Sequence, residues 1–408
     1  MRTGRATTER RSPGRGATGL VLTGGGARAA YQVGVLAGIV EILAREHPDG
    51  IGPLFDIICG SSAGAINAAS LACHAHQVQA GMQRLEGLWS ALHTGDVYVA
   101  DALGLTRTGG QWLTMLTLGW LAPARRHARP RALLDNTPLR SLLRGTLDFD
   151  QLNRNLAEGR LQALAITATA YNTGEHLTFY QSDIRIKPWR RSLRQAVPGR
   201  IGVDHLLASS AIPFVFPAQA ILVRGQTEWC GDGSMRQLAP ISPAIHMGAA
   251  RVVIIGTGYK DDTYPEKRRI SPEYPTLAQI GGHAMSNIFL DSLSMDVERL
   301  ERINELLAKL PPDGLQSETL RPVRALVITP SQSLDAIALR HLGELPRAAR
   351  TLFHVLGVSS RTGPGSGAAL ISYLLFEANY TRELIELGRN DSIGRSDEVR
   401  AFFKEASA

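Results

Sequence analysis

Apolar residues near the start of the chain form two short runs, each followed by a segment with helical spacing. The first run, Gly19 to Thr23, predicts a buried strand, and Ala29 to Leu43 predicts the helix that follows it. The second run, Leu54 to Cys59, leads into the alanine-rich stretch Ala63 to Ala75, which predicts another helix. Two strand-turn-helix units within about 60 residues favour a parallel sheet covered by helices.

The alternation of strand and helix patterns resumes further along the chain, and one sheet can hold all of the predicted strands. The predicted elements are strands at Leu161 to Ala170, His176 to Tyr180, Ala220 to Val223 and Arg251 to Gly256, a step into Cys230, and helices at Val203 to Ser210 and near Pro240 to Met247. From Pro272 onward the pattern is mainly helical, apart from a parallel-sheet-like strand at Val323 to Thr329. The fold class is therefore α/β with an additional helical C-terminal region.

Four parts of the chain differ in pattern. Residues 1–17 predict a disordered basic tail, residues 18–260 an α/β domain, and residues 261–408 a mainly helical region packed on that domain. Within the domain, residues 94–143 are irregular, and their tryptophans Trp112 and Trp120 precede an arginine cluster at 125–131. This segment predicts either a lid that dips into a lipid surface or ordinary core packing.

The composition is that of a globular, moderately basic protein. The 408 residues are 44% hydrophobic and carry a formal net charge of +7, and the arginine clusters suit an anionic partner such as a lipid surface. The clusters lack interleaved aromatics and no nucleic-acid-binding motif occurs, so nucleic acid is not expected. Three cysteines without C-x-x-C spacing indicate neither a disulfide scaffold nor a zinc site. The polar first 19 residues and the absence of an apolar run of 18 residues predict a cytoplasmic protein with at most peripheral membrane contact.

The pentapeptide from Gly60 to Gly64, Gly-Ser-Ser-Ala-Gly, stands between the second predicted strand and its helix. In this setting a tight turn exposes a serine as a nucleophile, here Ser62. Gly60 and Gly64 have no side chain that would collide across the bend. A plain strand-loop-helix turn is the alternative, because the short motif also occurs by chance.

A glycine loop, Gly24 to Gly26, follows the first strand and opens a helix. Its unobstructed backbone N–H groups and the helix dipole can bind a negatively charged oxygen. Arg28, in that helix, could support the loop or hold a lipid phosphate, or form a surface salt bridge. The loop also matches a loose dinucleotide-binding fingerprint, but the second strand ends in Cys59 and Gly60, where that fold needs an acidic residue.

Asp232 is the candidate base for Ser62, because it follows a predicted strand and is flanked by Gly231 and Gly233. An aspartate can act as base when it contacts the hydroxyl in a poorly solvated pocket that raises its pKa. An ordinary turn is the alternative. Four histidines also follow the serine and could serve in a Ser-Asp-His order, namely His246, His283, His341 and His354.

Taken together, these motifs resemble the patatin-like phospholipase family over about residues 18 to 260. The resemblance rests on Gly24 to Arg28, Gly60 to Gly64, Asp232-Gly233, and the segment Ala208 to Pro217, which is similar to the family's A-S-x-A-x-P motif. It implies a three-layer α/β/α fold with a mainly parallel sheet and a Ser-Asp dyad. Ser62 would be the nucleophile and Asp232 the base. The oxyanion hole would comprise Gly24, Gly25, Gly26, Ala27 and Arg28, with Gly60, Gly64 and Gly233 as structural residues.

The resemblance implies a serine esterase of phospholipase A or lysophospholipase type that needs neither metal nor cofactor. Its substrate would be a phospholipid or another fatty acyl ester. An acyltransferase or thioesterase could use the same two residues, and a non-enzymatic lipid-binding or scaffold protein could use the same fold. The sequence fixes neither the headgroup nor the oligomeric state.

Overall fold

The computed structural model describes residues 16–48, 50–99, 132–259, 276–289, 291–310, 320–358 and 367–404. The predicted basic tail lies outside these residues except for its last two positions. Residues 100–131 of the predicted lid, with both of its tryptophans and its arginine cluster, also lie outside them.

The described strands all belong to one ten-stranded sheet. They are β1 (Thr18–Leu22), β2 (Ile57–Ser61), β3 (Ala163–Ala170), β4 (His176–Ser182), β5 (Arg190–Arg191), β6 (Arg194–Pro198), β7 (Gln219–Val223), β8 (Gln226–Asp232), β9 (Arg251–Ile255) and β10 (Arg324–Ile328). Each strand run predicted from the sequence corresponds to one of them, within a few residues. The two short strands β5 and β6 were not predicted.

Helices occupy most of the remaining described chain. They are α1 (Ala30–Glu46), α2 (Ala63–Cys73), α3 (Val78–Ser90), α4 (Thr94–Val97), α5 (Thr137–Thr146), α6 (Phe149–Ala157), α7 (Val203–Ser209), α8 (Ser242–His246), α9 (Leu277–Phe289), α10 (Asp291–Ala308), α11 (Leu334–Arg340), α12 (Arg347–Val355), α13 (Ala368–Leu374), α14 (Ala378–Gly394) and α15 (Ser396–Lys404). Short 3-10 turns cover Gly26–Ala29, Gly233–Arg236 and Leu342–Glu344.

The sheet is parallel on one side and mixed on the other. Strands β10, β9, β1, β2 and β3 are neighbours in that order and all run parallel. Beyond β3 the sheet becomes mixed, since β3 pairs antiparallel with both β4 and β8. Residues 171–175, which join β3 to β4, are too few for the crossover that a parallel neighbour requires. The prediction of a mainly parallel sheet is confirmed: these five strands run parallel, and β4 also pairs parallel with β6, whereas the antiparallel pairs involve β3 and the strands beyond it.

Alternate residues of the parallel strands enter two separate cores, one on each face of the sheet. Leu20 and Leu22 of β1 belong to a large core with α1, α2 and α3, whereas Val21 packs on the opposite face with residues of α8 and α10. Because strand side chains alternate between faces, two apolar faces require helices on both sides. The chain therefore has three layers, α/β/α.

Helix α1 is the central helix of the larger core. The segment Gly26–Glu46 is long and apolar enough to cross a membrane by length and composition alone, but 83% of its most apolar window is buried inside the protein. The segment contains no unbroken apolar run of 18 residues, because Arg28, Gln32, Glu41 and Arg45 interrupt it. Its burial explains the composition: the helix packs against other helices on several sides.

Helices α1 and α14 approach closely at glycines. A Cβ atom added to Gly34 would lie 1.9 Å from the carbonyl oxygen of Ile385, and one added to Gly388 would lie 2.2 Å from that of Tyr31. The backbones of the two helices are therefore in direct contact. This contact ties the C-terminal region to the helix that follows the glycine loop.

Candidate active site

Ser62 occupies the turn between β2 and α2 in a strained backbone conformation. Its φ of 53° and ψ of −130° lie in a region that residues with a side chain rarely adopt. The residue is only 1% exposed. Such strain persists only where the surrounding structure enforces it, and it is typical of a nucleophile held at the end of a strand.

The glycines on either side of this turn make close contacts. A Cβ atom added to Gly60 would lie 2.6 Å from the Cα of Ala65, across the bend. One added to Gly64 would lie 2.5 Å from the carbonyl oxygen of Thr23, at the end of β1. The start of α2 therefore packs directly on the residue that precedes the glycine loop, which brings the loop next to Ser62.

Asp232 ends β8 and is completely buried. Its Oδ1 accepts a hydrogen bond of 2.8 Å from the backbone N–H of Ser234, whereas Oδ2 has no hydrogen-bond partner among the described residues. Burial raises the pKa of Asp232 to about 7, although the hydrogen bonds from Ser234 and the nearby Ser62 hydroxyl lower it. The carboxyl thus lies near the serine hydroxyl, and its Oδ2 is available as an acceptor.

The residue after this aspartate is held from two sides. A Cβ atom on Gly233 would lie 2.2 Å from the carbonyl oxygen of Thr167 in β3, so only glycine fits there. The Gly233 carbonyl pairs with Nε2 of His176 at 3.1 Å. Burial lowers the pKa of His176 to about 4, so the ring is neutral at pH 7 and Nε2 donates this hydrogen bond.

The glycine loop presents free backbone donors. Thr257, which follows β9, donates from Oγ1 to the carbonyl of Gly24 at 2.8 Å and thereby fixes the loop. Gly26 has a φ of 53° and begins a 3-10 turn. In the described part of the chain, the N–H groups of Gly25, Gly26 and Ala27 have no acceptor. Buried amides without partners at the start of a helix form a site for a negatively charged oxygen.

Arg28 does not have the surface position that a simple salt bridge would have. The residue is 3% exposed, and its guanidinium binds Ser372 and Asp335 in the C-terminal region. Its backbone N–H donates to the Gly25 carbonyl at 3.1 Å, so this amide is already used inside the turn.

The segment Ala208 to Pro217 was identified from the sequence as a motif, but its role in holding the site was not predicted. Oγ of Ser209 accepts a hydrogen bond of 2.9 Å from the backbone N–H of Ser62. Two residues later, the carbonyl of Ala211 accepts one of 3.0 Å from the backbone N–H of Asp232. One short segment therefore holds the backbones of both candidate catalytic residues. Neither contact could be found from spacing, since Ser62 and Ser209 are 147 residues apart.

The four histidines considered as alternative bases lie in other surroundings. His246 stacks on Trp189 with ring centroids 4.9 Å apart. The ring nitrogens of His341 pair with Glu344 and Glu383 at 2.9 and 2.6 Å. His283 and His354 are exposed, whereas Ser62 is buried. Among the titratable groups of the described residues, Asp232 is thus the one whose pKa responds to the Ser62 hydroxyl. Within the described ranges, no group of three or more His, Cys, Asp or Glu side chains is arranged to hold a metal ion.

Comparison with known proteins agrees with these motifs. A family model described as patatin-like phospholipase matches residues 20–245, more than half of the chain. A curated protein, the cGAMP-activated phospholipase of Escherichia coli, is 50% identical over 56 residues, which are 13% of this chain and 16% of that protein. The match therefore spans only a small part of that relative.

Solved structures that align with the chain share little sequence with it and have low TM-scores. VipD from Legionella pneumophila aligns at 12% identity with a TM-score of 0.35, over 98% of this chain and 71% of VipD. Human GIVD cytosolic phospholipase A2, in complex with methyl gamma-linolenyl fluorophosphonate, aligns at 12% identity with a TM-score of 0.41. That alignment covers 96% of this chain and 59% of the human chain.

Proposed function

The chain belongs to the patatin-like phospholipase family, and on this premise we propose that it is a serine lipid acyl hydrolase. It cleaves fatty acyl esters of phospholipids or lysophospholipids through Ser62 and Asp232. The observation that carries the proposal is the pairing of a strained serine with a buried carboxyl whose Oδ2 has no partner and whose pKa is about 7. A base with a pKa near the working pH is suited to proton transfer.

The first half of the reaction forms an acyl-enzyme. Asp232 accepts the proton of the Ser62 hydroxyl as Oγ attacks the acyl carbonyl carbon. The negative charge that develops on the carbonyl oxygen is stabilised by the N–H groups of Gly25, Gly26 and Ala27. When the C–O bond breaks, the proton on Asp232 passes to the leaving alcohol or lysolipid.

The second half releases the fatty acid. Asp232, ionised again, takes a proton from water as the water oxygen attacks the acyl-enzyme, and the same amides stabilise the second oxyanion. The proton then returns to Ser62 Oγ as the ester bond to the enzyme breaks. In the reacting complex the Ser62 hydroxyl donates a hydrogen bond to Oδ2 of Asp232, since catalytic hydrogen bonds often form fully only when substrate is bound.

Fatty acid release tests the activity. Purified wild type is mixed with phospholipids, lysophospholipids and neutral glycerides, and the products are identified by mass spectrometry. The proposal requires that Ser62→Ala abolishes release while Ser70→Ala, a buried serine of the same helix α2, retains it. Undiminished turnover by folded Ser62→Ala would remove Ser62 as the nucleophile.

We also propose that the protein contacts the lipid surface peripherally. Beside the site, the β7–β8 hairpin exposes Leu222 and Trp229, and the Trp229 carbonyl accepts a hydrogen bond of 2.8 Å from the N–H of the exposed Tyr171. Tyr171 in turn packs against Gly231, next to Asp232. Exposed apolar side chains beside a lipid-cleaving site favour contact with a lipid surface.

Vesicle flotation tests this contact. The double variant Leu222→Ser/Trp229→Ser should bind anionic vesicles more weakly than wild type, whereas Val355→Ser, at another exposed apolar residue, should bind as wild type does. Equal binding by all three proteins would contradict the hairpin as a contact surface. A steep loss of wild-type binding with added salt would show that basic residues contribute as well.

A further inference from the structure

The glycine loop is held from the C-terminal region, outside the part of the chain that the family model matches. A Cβ atom on Gly26 would lie 2.2 Å from the carbonyl oxygen of Tyr373, which is the second-last residue of α13. The loop backbone is therefore in direct contact with α13. Two residues after Gly26, Arg28 extends into the same region. The loop is therefore in contact with elements more than 300 residues away in sequence.

The Arg28 guanidinium has three partners there. Nε donates a hydrogen bond of 2.8 Å to Ser372 Oγ, and Nη2 forms an ion pair with Asp335 at the start of α11. Its Cζ lies over the Tyr373 ring, 3.9 Å from the ring centroid, within the range of a cation–π contact. These contacts use both an edge and a face of the guanidinium.

The partners of Arg28 are themselves connected. Ser372 Oγ lies 2.9 Å from Asp335 Oδ1 and 2.7 Å from the carbonyl oxygen of Ala369, and its single proton can be donated to either. The hydroxyl of Tyr380 in α14 donates to the Ser372 carbonyl at 3.3 Å. The cluster of Asp335, Ser372 and Tyr373 thus joins α11, α13 and α14 around one buried arginine.

A buried ion pair of this kind mainly fixes the position of its side chains and contributes little to the free energy of unfolding. Removing both charges from water costs about as much as their attraction returns, so the pair adds little net stability compared with well-packed apolar residues. A planar guanidinium held at two donors, by contrast, has a fixed position and orientation. Because the Arg28 N–H closes the turn onto the Gly25 carbonyl, fixing Arg28 also fixes the amides of Gly26 and Ala27.

We infer that Asp335 and Ser372 are positioning residues for the oxyanion hole, acting through Arg28. The C-terminal region is in this view part of the catalytic apparatus, although it contributes no group that touches the substrate. The inference rests on the proposed function, because it assigns these residues a role in stabilising the oxyanion. A misplacement of the amides by about 1 Å is enough to slow the chemical step by roughly 100-fold.

Matched variants separate positioning from general structural support. Asp335→Asn removes the ion pair, and Ser372→Ala removes the hydroxyl. The control is Asp391→Asn, since Asp391 also links the C-terminal region to α1, through a 2.8 Å hydrogen bond from the Tyr31 hydroxyl, but not to the loop. We expect Asp335→Asn and Ser372→Ala to lower kcat by roughly 10- to 100-fold with little change in KM. Asp391→Asn should retain kcat even where it lowers Tm.

Two kinetic results would overturn the inference. One is an unchanged kcat in both Asp335→Asn and Ser372→Ala. The other is an equal loss of kcat in Asp391→Asn, because that would show a general structural effect. Arg28→Lys provides a further check: a point charge cannot keep both donors in place, so it should reproduce the loss of kcat.

Amide hydrogen exchange keeps the inference testable if the proposed activity itself fails. Should wild type release no fatty acid from any ester, the proposed function falls, but exchange at Gly25, Gly26 and Ala27 can still be measured. Positioning by Asp335 predicts faster exchange of these amides in Asp335→Asn than in Asp391→Asn. Equal exchange in the two variants would contradict it.

Discussion

Ser209 Oγ accepts a hydrogen bond of 2.9 Å from the backbone N–H of Ser62, the residue with the strained turn conformation. This contact supplies the partner that the buried amide would otherwise lack. It also explains why a strand-helix turn with positive φ at a serine is maintained, because the turn is held from outside by α7.

Replacement of Ser209 should therefore affect both stability and reactivity. Ser209→Ala leaves the Ser62 N–H buried without an acceptor, which costs about 1–3 kcal/mol of unfolding free energy. The matched control is Ser210→Ala, since Ser210 Oγ donates only to the Leu206 carbonyl within its own helix. Urea unfolding and the rate of labelling by a fluorophosphonate measure the two effects. Equal labelling rates in both variants would show that Ser209 does not hold the turn.

The pH dependence of activity should follow Asp232. Its pKa is about 7 in the folded protein, and only the ionised carboxylate can accept the serine proton. We therefore expect kcat/KM to fall as the pH decreases through about 7, with loss of activity at all pH values in Asp232→Asn. Initial rates between pH 5 and 9 on a soluble ester test this. A wild-type profile that is flat across pH 7, or activity that survives in Asp232→Asn, would point to another base.

The same carboxyl should make the protein less stable at high pH. The folded-state pKa of Asp232 is raised above its ordinary value of 3.8, so the folded state prefers the protonated form. This contribution to stability is complete below about pH 4 and is lost as the pH rises through 7, at a cost of about 4 kcal/mol when ionisation is complete.

Asp232→Asn removes that cost, since the amide stays neutral and its Oδ1 can still accept the Ser234 N–H. We expect the variant to be more stable than wild type at pH 9 and similar to it at pH 4, where the carboxyl is protonated in the folded state and mostly protonated in the unfolded state. Urea unfolding at the two pH values measures the difference. An identical pH dependence of stability in wild type and Asp232→Asn would mean that Asp232 is not the group that titrates.

A glycine in the contact between α1 and α14 and a glycine in open space should respond in opposite ways to replacement by alanine. Gly34→Ala places a methyl group against the Ile385 carbonyl and should destabilise the protein by several kcal/mol. Gly87→Ala, in α3, meets open space and should stabilise by up to about 1 kcal/mol through helix propensity. Thermal unfolding of both variants tests this. Equal melting temperatures would contradict the close backbone contact.

Local patterns in the sequence predicted most of the parallel half of the sheet. For example, the predicted runs Arg251 to Gly256 and Val323 to Thr329 correspond to β9 and β10, which pair with each other in this half. The predicted start at Leu54 was wrong by three residues, because Asp56 uses its carboxylate and its N–H to bind Thr18 before β2 begins. Side-chain contacts of this kind leave no periodic signal.

The parts of the site that sequence reasoning missed depend on contacts over long separations. Thr257 fixes the glycine loop, Ser209 fixes Ser62, and Asp335 fixes Arg28, but none of the three belongs to a motif that includes its partner. The motif residues themselves could be predicted because each requires a specific local geometry, such as the close approach at Gly64. Hydrogen bonds between distant elements require the fold to be known.

The pairing of Ser62 with Asp232 is tested most directly by the mass of the adduct that a fluorophosphonate forms with the protein. Catalysis by Ser62 and Asp232 predicts a single phosphonyl group on Ser62, attached at a rate that falls below pH 7 and is lost in Asp232→Asn. Mapping by peptide mass spectrometry locates the modified residue. An adduct on a residue other than Ser62, or undiminished labelling of Ser62 in Asp232→Asn at pH 8, would rule out the pairing of Ser62 with Asp232.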